Sequence, residues 1–120
     1  MTGLGELEAT VMDVLWASPD PQTVRAVLDS LNQQRSLAYT TILTVLDNLH
    51  RKGFVQREKV GRAFAYQASE SREAATARAV RDLLDATGDP AAVLLHFART
   101  VSASESQALR AALDADGDRS

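Results

Sequence analysis

Cysteine is missing from this 120-residue chain, and histidine occurs only twice, at positions 50 and 96. Without cysteine there is no disulfide framework, no thiolate nucleophile and no thiolate metal ligand, and two isolated histidines cannot form a zinc site by themselves. The sequence also lacks a Ser/His/Asp order, a glycine-rich phosphate loop and a metal-ligand spacing. We therefore predict that the protein is not an enzyme and needs no cofactor or metal.

Long hydrophobic runs are absent as well. No apolar run approaches the length of about 20 residues that a membrane-spanning helix needs, and no basic, apolar leader opens the chain. We expect a cytoplasmic protein without membrane insertion. Because 45% of the residues are apolar and 24% are charged, the composition is typical of a folded chain rather than a disordered one.

The net charge of −3 hides an uneven distribution of charge along the sequence. Between residues 35 and 67 there are six cationic and two acidic side chains, which gives this segment a net charge of +4 and leaves −7 for the rest. A basic patch on an acidic body limits non-specific attraction while still offering phosphates a contact surface. The alternative is that these charges are scattered over an ordinary solvated face.

Apolar spacing predicts three helices in the first half of the chain. The first ends before Pro19 and Pro21, because proline disfavours the helical conformation in the residue that precedes it. Thr23 is the predicted N-cap of the second helix. The third runs from about Ala38 to Lys52, and Gly53 follows it at the usual position of a C-terminal glycine.

Two short strands are predicted after these helices, Phe54 to Glu58 and Ala63 to Ala68, joined by a turn that contains Gly61. Phe64 and Tyr66 lie on one side of the second strand, where we expect both to cover the end of the helical core. The order of three helices and a hairpin is that of a winged helix-turn-helix, with the hairpin as the wing. Residues 1–69 are therefore the predicted DNA-binding domain.

Residues 70–120 are predicted to form three further helices: about Ser71 to Thr87, one that begins with Asp89 as N-cap and Pro90 at its first position, and one that opens with a capping box at Ser102–Glu105. Their apolar faces are too thin to close a core alone. They pack either on residues 1–68 or on the same segment of a second chain, and we favour the dimer because a two-fold DNA reader doubles its contacts. The predicted dimerisation residues are Val80, Leu83, Leu84, Val93, Leu94, Phe97, Val101, Leu109 and Leu113. The fold class is mostly α with a small β-hairpin, a winged helix followed by a three-helix dimerisation region.

The third helix is the element that enters the major groove in a helix-turn-helix. Thr40, Thr44, Asp47 and Arg51 follow one outward line on it, spaced i, i+4, i+7 and i+11. Threonine hydroxyls bind phosphates or base edges, and threonine methyl groups contact the thymine methyl. The predicted DNA contacts, including the helix end and the wing, are Thr40, Thr41, Leu43, Thr44, Arg51, Lys52, Lys59 and Arg62.

Each of these residues also has an ordinary structural alternative. Thr40 is equally suited to capping the start of its helix, and Leu43 either contacts a thymine methyl or covers a neighbouring side chain. Arg51 and Lys52 interact favourably with the helix dipole at a C-terminus. Arg62 is otherwise a common charged residue of a turn.

Four stretches of the sequence resemble the penicillinase repressor family of BlaI/MecI type: Leu7-Glu8-x-x-Val11-Met12-x-x-Leu15-Trp16, Thr23-Val24, Ala38-Tyr39-Thr40-Thr41-Ile42-Leu43-Thr44-Val45-Leu46 and Leu49-x-Arg51-Lys52-Gly53. The resemblance extends from Leu4 to about Leu113. It implies a homodimeric transcriptional repressor that binds palindromic operators of the TACA/TGTA type. Such operators often precede β-lactamase genes, so a part in antibiotic resistance is expected.

The resemblance also implies a proteolytic switch. In the family, a membrane metalloprotease sensor triggers cleavage of the repressor within the second C-terminal helix, typically at an Asn-Phe bond. The matching residues here are His96 and Phe97, so histidine replaces the usual asparagine. Phe97 lies on an apolar stripe and is expected in the core whether or not this bond is cleaved. A copper-responsive branch has a cysteine-rich tail, which this chain lacks, so metal sensing is disfavoured.

Two other functions remain as alternatives. A winged helix can act as a protein-interaction module, with the third helix docking on a partner. It can also belong to a regulator that a small molecule releases from DNA by binding in the helical half.

Overall fold

The computed structural model describes residues 3–117, which contain six helices and three short strands. In chain order the elements are α1 (Glu6–Ala17), β1 (Gln22–Thr23), α2 (Val24–Leu31), α3 (Tyr39–Arg51), β2 (Val55–Val60), β3 (Ala63–Ala68), α4 (Arg72–Asp85), α5 (Pro90–Ala98) and α6 (Ala103–Gly117). The chain forms two compact units, one that ends at Arg81 and one that begins at Asp82. The boundary along the chain therefore lies within α4. The functional division into residues 1–69 and 70–120 stays a prediction.

Helix α2 begins and helix α3 ends at the residues that the sequence predicted for these positions. The hydroxyl of Thr23 accepts a hydrogen bond from the Ala26 N–H at 3.1 Å, as an N-cap does. After α3, Gly53 adopts a left-handed backbone with φ of 85°. Its N–H donates to the carbonyl of His50 at 3.1 Å, and the N–H of Phe54 donates to the carbonyl of Leu49 at 3.0 Å. This pair of bonds is a Schellman motif, which stops the helix and turns the chain into the wing.

The three strands form an antiparallel sheet in the order β1-β3-β2. The pairing of β2 with β3 runs to Val60 opposite Ala63, which leaves a two-residue turn of Gly61 and Arg62. Gly61 has φ of 64°, as the first position of a type II′ hairpin turn requires. Strand β1 was not predicted, because two residues are too short to show the alternation that indicates a strand.

The core of the first unit lies among α1, α2, α3 and the hairpin. Its buried side chains are Val11, Met12, Leu15, Val24, Val27, Leu28, Ile42, Val45, Leu46, Leu49, Val55 and Tyr66. Tyr66 is fully buried, as predicted, but Phe64 on the same side of β3 is 40% exposed. The prediction that both rings cover the core is therefore wrong for Phe64. This residue lies next to the turn end of the hairpin, where the neighbouring Val60 is also exposed, and its ring packs against Arg57 instead.

The start of α4 is attached to α1. The indole N–H of Trp16 donates to the carbonyl of Glu70 at 3.1 Å, and the guanidinium of Arg72 pairs with Asp13 at 2.9 Å. Arg72 also lies over the Trp16 ring, 5.1 Å from its centroid. The residues just after the wing are thus held by α1, which places the first half of α4 in the same compact unit as the winged helix.

The second unit contains α5 and α6, and both begin as predicted. Asp89 accepts from the Ala92 N–H at 3.2 Å, with Pro90 at the first helical position. Ser102 and Glu105 form the capping box, with bonds of 3.1 Å and 2.8 Å. In this box the Glu105 N–H donates to the Ser102 hydroxyl, and the Ser102 N–H donates to the Glu105 carboxylate. Hydrogen bonding of that carboxylate to the backbone and the hydroxyl of Ser102 lowers the pKa of Glu105. The sequence also predicts that the last helix frays past Gly117, a segment that lies outside the described residues.

Helices α4, α5 and α6 leave much of their apolar surface exposed. No residue of α5, all of which the structure describes, is buried. The exposed large apolar residues from α4 to α6 are Val80, Leu83, Val93, Leu94, Leu95, Phe97, Leu109 and Leu113, whereas Leu84 is buried. None of the helices within residues 3–117 combines the length and the apolar character needed to cross a membrane.

Candidate nucleic-acid interface

Helix α3 has a buried side and an outward side, as its spacing predicted. Ile42, Leu46 and Leu49 are fully buried in the core. Thr40 and Thr44 are exposed on the other side, and Thr41 is partly covered. The helix starts after Ala38 without a side-chain cap, so Thr40 stands in the first turn rather than at the capping position. The capping alternative for Thr40 is therefore wrong.

Leu43 lies on the outward side of α3 and is 40% exposed. It lines an open cleft of about 350 Å³ between the start of α3 and the wing. Arg62, from the turn of the hairpin, lines the same cleft, and so do Tyr39 and Phe64. The fold thus brings two predicted DNA contacts, one on α3 and one on the wing, to a single concave surface.

The wing presents its cationic side chains at its outer end. Lys59, Gly61 and Arg62 are all exposed. The tight turn places Arg62 at the tip of the hairpin, because the strands pair up to Val60 and Ala63 on either side of it. A flexible cation at the tip of a wing is suited to contact with a phosphate next to the groove that α3 occupies.

The C-terminal half of α3 is connected to the wing through Asp47. One carboxylate oxygen of Asp47 lies 3.6 Å from Nε of Arg51, and the other lies 3.5 Å from a guanidinium nitrogen of Arg57 on β2. Arg51 also donates to the side chain of Asn48. The guanidinium of Arg57 lies over the ring of Phe64, 4.4 Å from the centroid. Arg51 therefore contacts Asp47 and Asn48 while most of its side chain stays exposed on the outward surface.

Lys52 points back toward α1 rather than outward along α3. Its Nζ lies 2.8 Å from Oε1 of Glu8 and 3.1 Å from the carbonyl oxygen of Gly3. The same Glu8 oxygen accepts the Gly5 N–H at 2.8 Å. Burial alone would raise the pKa of Glu8, but the hydrogen bonds from Lys52 and Gly5 and the charge of Lys52 together hold that pKa below its usual value.

Sequence reasoning missed three residues of this surface: Arg25, Arg57 and Phe64. The hairpin register could have indicated Arg57 and Phe64. With a two-residue turn at Gly61 and Arg62, Arg57 lies opposite Tyr66, and Phe64 is its diagonal neighbour on the same face of the sheet. Arg25 lines the cleft and lies over the ring of Tyr39, 5.2 Å from its centroid. No pattern in the sequence indicates that contact, because it joins two helices across a loop.

Comparison with known proteins decides which winged helix this is. The sequence profile of the penicillinase repressor family matches residues 4–115. The chain belongs to the penicillinase repressor family. Family membership and the winged-helix fold make it a DNA-binding transcriptional repressor.

Particular relatives agree with this placement. The transcriptional regulators BlaI of two Mycobacterium tuberculosis strains, CDC 1551 / Oshkosh and ATCC 25618 / H37Rv, are each 42% identical over 116 residues, which cover 94% of this chain and 84% of the relative. The solution structure of the DNA-binding domain of the repressor BlaI is 27% identical, with a TM-score of 0.53 over 58% of this chain and 84% of that one.

A second solved structure supports the fold alone. Streptococcus pneumoniae FabT, determined in complex with DNA, is 18% identical, with a TM-score of 0.50 over 97% of this chain and 75% of that one.

The two residues that the resemblance predicts as the cleavage site lie in the second unit. His96 and Phe97 occupy the last turn of α5, and both are exposed. The carbonyl of Phe97 accepts the N–H of Thr100 at 2.9 Å and the Thr100 hydroxyl at 2.7 Å. The Phe97 side chain is 59% exposed, so the core position predicted for it is not found within one chain. Whether it is buried in a dimer stays a prediction.

Proposed function

We propose that this penicillinase repressor acts as a homodimer that occupies palindromic operators of the TACA/TGTA type and controls β-lactamase-type genes. The observation that supports it most directly is the outward line of α3, where Thr40 and Thr44 are exposed next to a cationic wing. The family placement supports the same function.

Recognition of the operator uses the outward side of α3, its C-terminal end and the wing. The N-terminal half of α3 enters the major groove, where Thr40, Thr41, Leu43 and Thr44 face base edges and thymine methyl groups. Arg62 and Lys59 on the wing then bind phosphates beside that groove. Arg51 binds the backbone from the helix end. Lys52 supports that end through Glu8, and we propose that its own contact with DNA is secondary.

Dimerisation uses the apolar side chains that α4, α5 and α6 leave exposed. Val93, Leu94 and Phe97 are all exposed on one side of α5, and Leu109 and Leu113 are exposed on α6. Large apolar side chains left exposed in such number mark a site of protein association. Leu84 is already buried within the chain, so it contributes less to the dimer than its exposed neighbours Val80 and Leu83.

Relief of repression is proposed to occur by cleavage between His96 and Phe97, triggered by a membrane metalloprotease sensor. The bond lies in the last turn of α5, which ends at Ala98. Terminal turns of helices open at a low free-energy cost, as a protease requires. Cleavage separates Phe97 from Val93 and Leu94, and loss of the dimer reduces affinity by about 10²- to 10⁴-fold through lost effective concentration. Mass spectrometry that finds one fragment ending at His96 and another beginning at Phe97 would support this assignment.

Binding to DNA is tested by fluorescence anisotropy on two duplexes of equal composition at physiological salt. One contains inverted TACA/TGTA half-sites and the other a scrambled sequence. We expect tighter binding to the operator by about 10³-fold or more, the lower range for specific binding. Equal affinity for both duplexes, or no binding to either, would instead favour a protein-interaction module.

The dimer is tested with two matched substitutions on α5. Phe97→Glu places a charge on the proposed interface, and Leu95→Glu places the same charge on the opposite side of the helix. Their side chains are 59% and 60% exposed, so neither change disturbs a packed core. Sedimentation should show Phe97→Glu as a monomer with weakened operator binding and Leu95→Glu as a dimer. A dimeric Phe97→Glu would contradict the proposed interface.

A further inference from the structure

We propose that Asp47 is a specificity-determining residue, which sets how much more tightly this chain binds its operator than random DNA. The inference rests on the DNA-binding function proposed above and adds a residue to it. Asp47 acts through two arginines, so it is a positioning residue rather than a contact with a base.

The geometry places a carboxylate between two guanidiniums that come from different elements. Asp47 lies on the outward line of α3, three residues after Thr44, and its side chain is 50% exposed. Arg51 on α3 and Arg57 on β2 approach its two oxygens at 3.6 Å and 3.5 Å. The ring of Phe64 packs against Arg57 from the hairpin. The carboxylate thereby connects α3 to the wing.

The charge of this cluster governs binding to random DNA. Asp47, Arg51 and Arg57 together have a net charge of +1, whereas the two arginines alone would have +2. Affinity for random duplex comes from neutralising phosphates without regard to sequence. A carboxylate beside the phosphates also repels them. Asp47 therefore lowers affinity for every duplex on which the chain is not in its correct register.

The geometry of the cluster governs binding to the operator. A guanidinium is planar and presents its donors in a fixed fork, so an arginine that is held in advance loses less freedom when it binds a phosphate. Asp47 holds Arg51 and Arg57 in one arrangement relative to Thr44. When α3 is in register on the operator, these two arginines reach defined phosphates together. Without Asp47 the two arginines can bind any phosphate. This raises the affinity for random DNA more than the affinity for the operator.

The test compares Asp47→Asn with Asp29→Asn, which makes the same charge change at an exposed position on α2. Anisotropy titrations on operator and random duplexes at several salt concentrations give both affinities and the salt slope. For Asp47→Asn we expect random DNA to be bound about threefold tighter or more, with a slope steeper by about 0.9 because one more phosphate is contacted. The ratio of operator to random affinity should fall by a similar or larger factor.

Two controls separate this effect from a general loss of structure or charge. Asp47→Glu keeps the carboxylate and should keep most of the wild-type ratio, and Asp29→Asn should leave the ratio unchanged. If Asp47→Asn alters operator and random affinity by the same factor, the inference is wrong although the proposed function stands. If the wild type itself binds both duplexes equally, the proposed function fails and this inference fails with it.

Discussion

Nζ of Lys52 and Oε1 of Glu8 lie 2.8 Å apart, although the residues are 44 positions apart in the sequence. The contact joins the C-terminal end of α3 to the first turn of α1. The same carboxylate accepts the N–H of Gly5 at the start of α1, and Lys52 also donates to the carbonyl of Gly3. One ion pair therefore connects the C-terminal end of α3 to α1.

Replacing Lys52 by methionine should lower the free energy of unfolding at pH 7 by about 0.5–1 kcal/mol, the upper part of the range for exposed ion pairs. The upper part applies because the Glu8 side chain is mostly covered. The pKa of Glu8 is lower in the folded chain than its usual value of 4.5. The stabilisation is therefore fully present above about pH 4.5 and is lost as the pH falls through the lowered pKa. Urea unfolding at pH 7 and at pH 3 measures the difference between wild type and variant.

The control for this prediction is Lys59→Met, which changes the same kind of side chain on the exposed wing. We expect its unfolding free energy to stay within about 0.5 kcal/mol of wild type at both pH values. A difference between Lys52→Met and wild type that is equally large at pH 3 and pH 7 would contradict the role assigned to Glu8.

Much of the fold could be predicted from the sequence because local chemistry decides it. Thr23, Asp89 and Ser102 cap the helices that follow them. Gly53 has the left-handed backbone that ends α3. Each of these residues acts on groups within four positions along the chain, so a short window contains the whole interaction. The winged-helix order follows from such local signals.

What the sequence did not show are contacts between residues that are distant along the chain. Tyr66 and Phe64 lie on the same side of β3, so the alternation of the strand treats them alike. Tyr66 is buried because it lies over the core, and Phe64 is exposed because it lies near the turn. The link from Asp47 to Arg57 depends on how the wing is set against α3. The sequence predicted the outward line of α3 correctly, but it gave no indication that Lys52 turns back to Glu8.

Replacing Arg62 by alanine should reduce the dependence of operator affinity on salt. One lost phosphate contact changes the slope of log affinity against log salt by about 0.9. Preference for operator over random DNA should be retained, because a phosphate contact has no sequence information. Arg110→Ala on α6 is the matched control, and its slope should equal that of wild type. An unchanged slope for Arg62→Ala would remove this residue from the interface.

Replacing Thr44 by valine removes a hydroxyl and keeps the shape of the side chain. We expect operator affinity to fall by about three- to tenfold, which corresponds to one hydrogen bond of about 0.5–1.5 kcal/mol. Affinity for random DNA should be almost unchanged. The measurement is a pair of anisotropy titrations at one salt concentration. Equal losses on both duplexes would show that Thr44 binds the backbone and does not read a base.

In vitro selection of bound DNA from a pool of random duplexes tests the central claim most directly, because it reports the half-site and the spacing together. Two copies of α3 in successive major grooves require inverted half-sites whose centres are one helical turn apart, about 34–36 Å. We predict enrichment of such inverted TACA/TGTA-type pairs at that spacing. Enrichment of single half-sites without a fixed partner, or no enrichment at all, would contradict the account of this chain as a dimeric repressor.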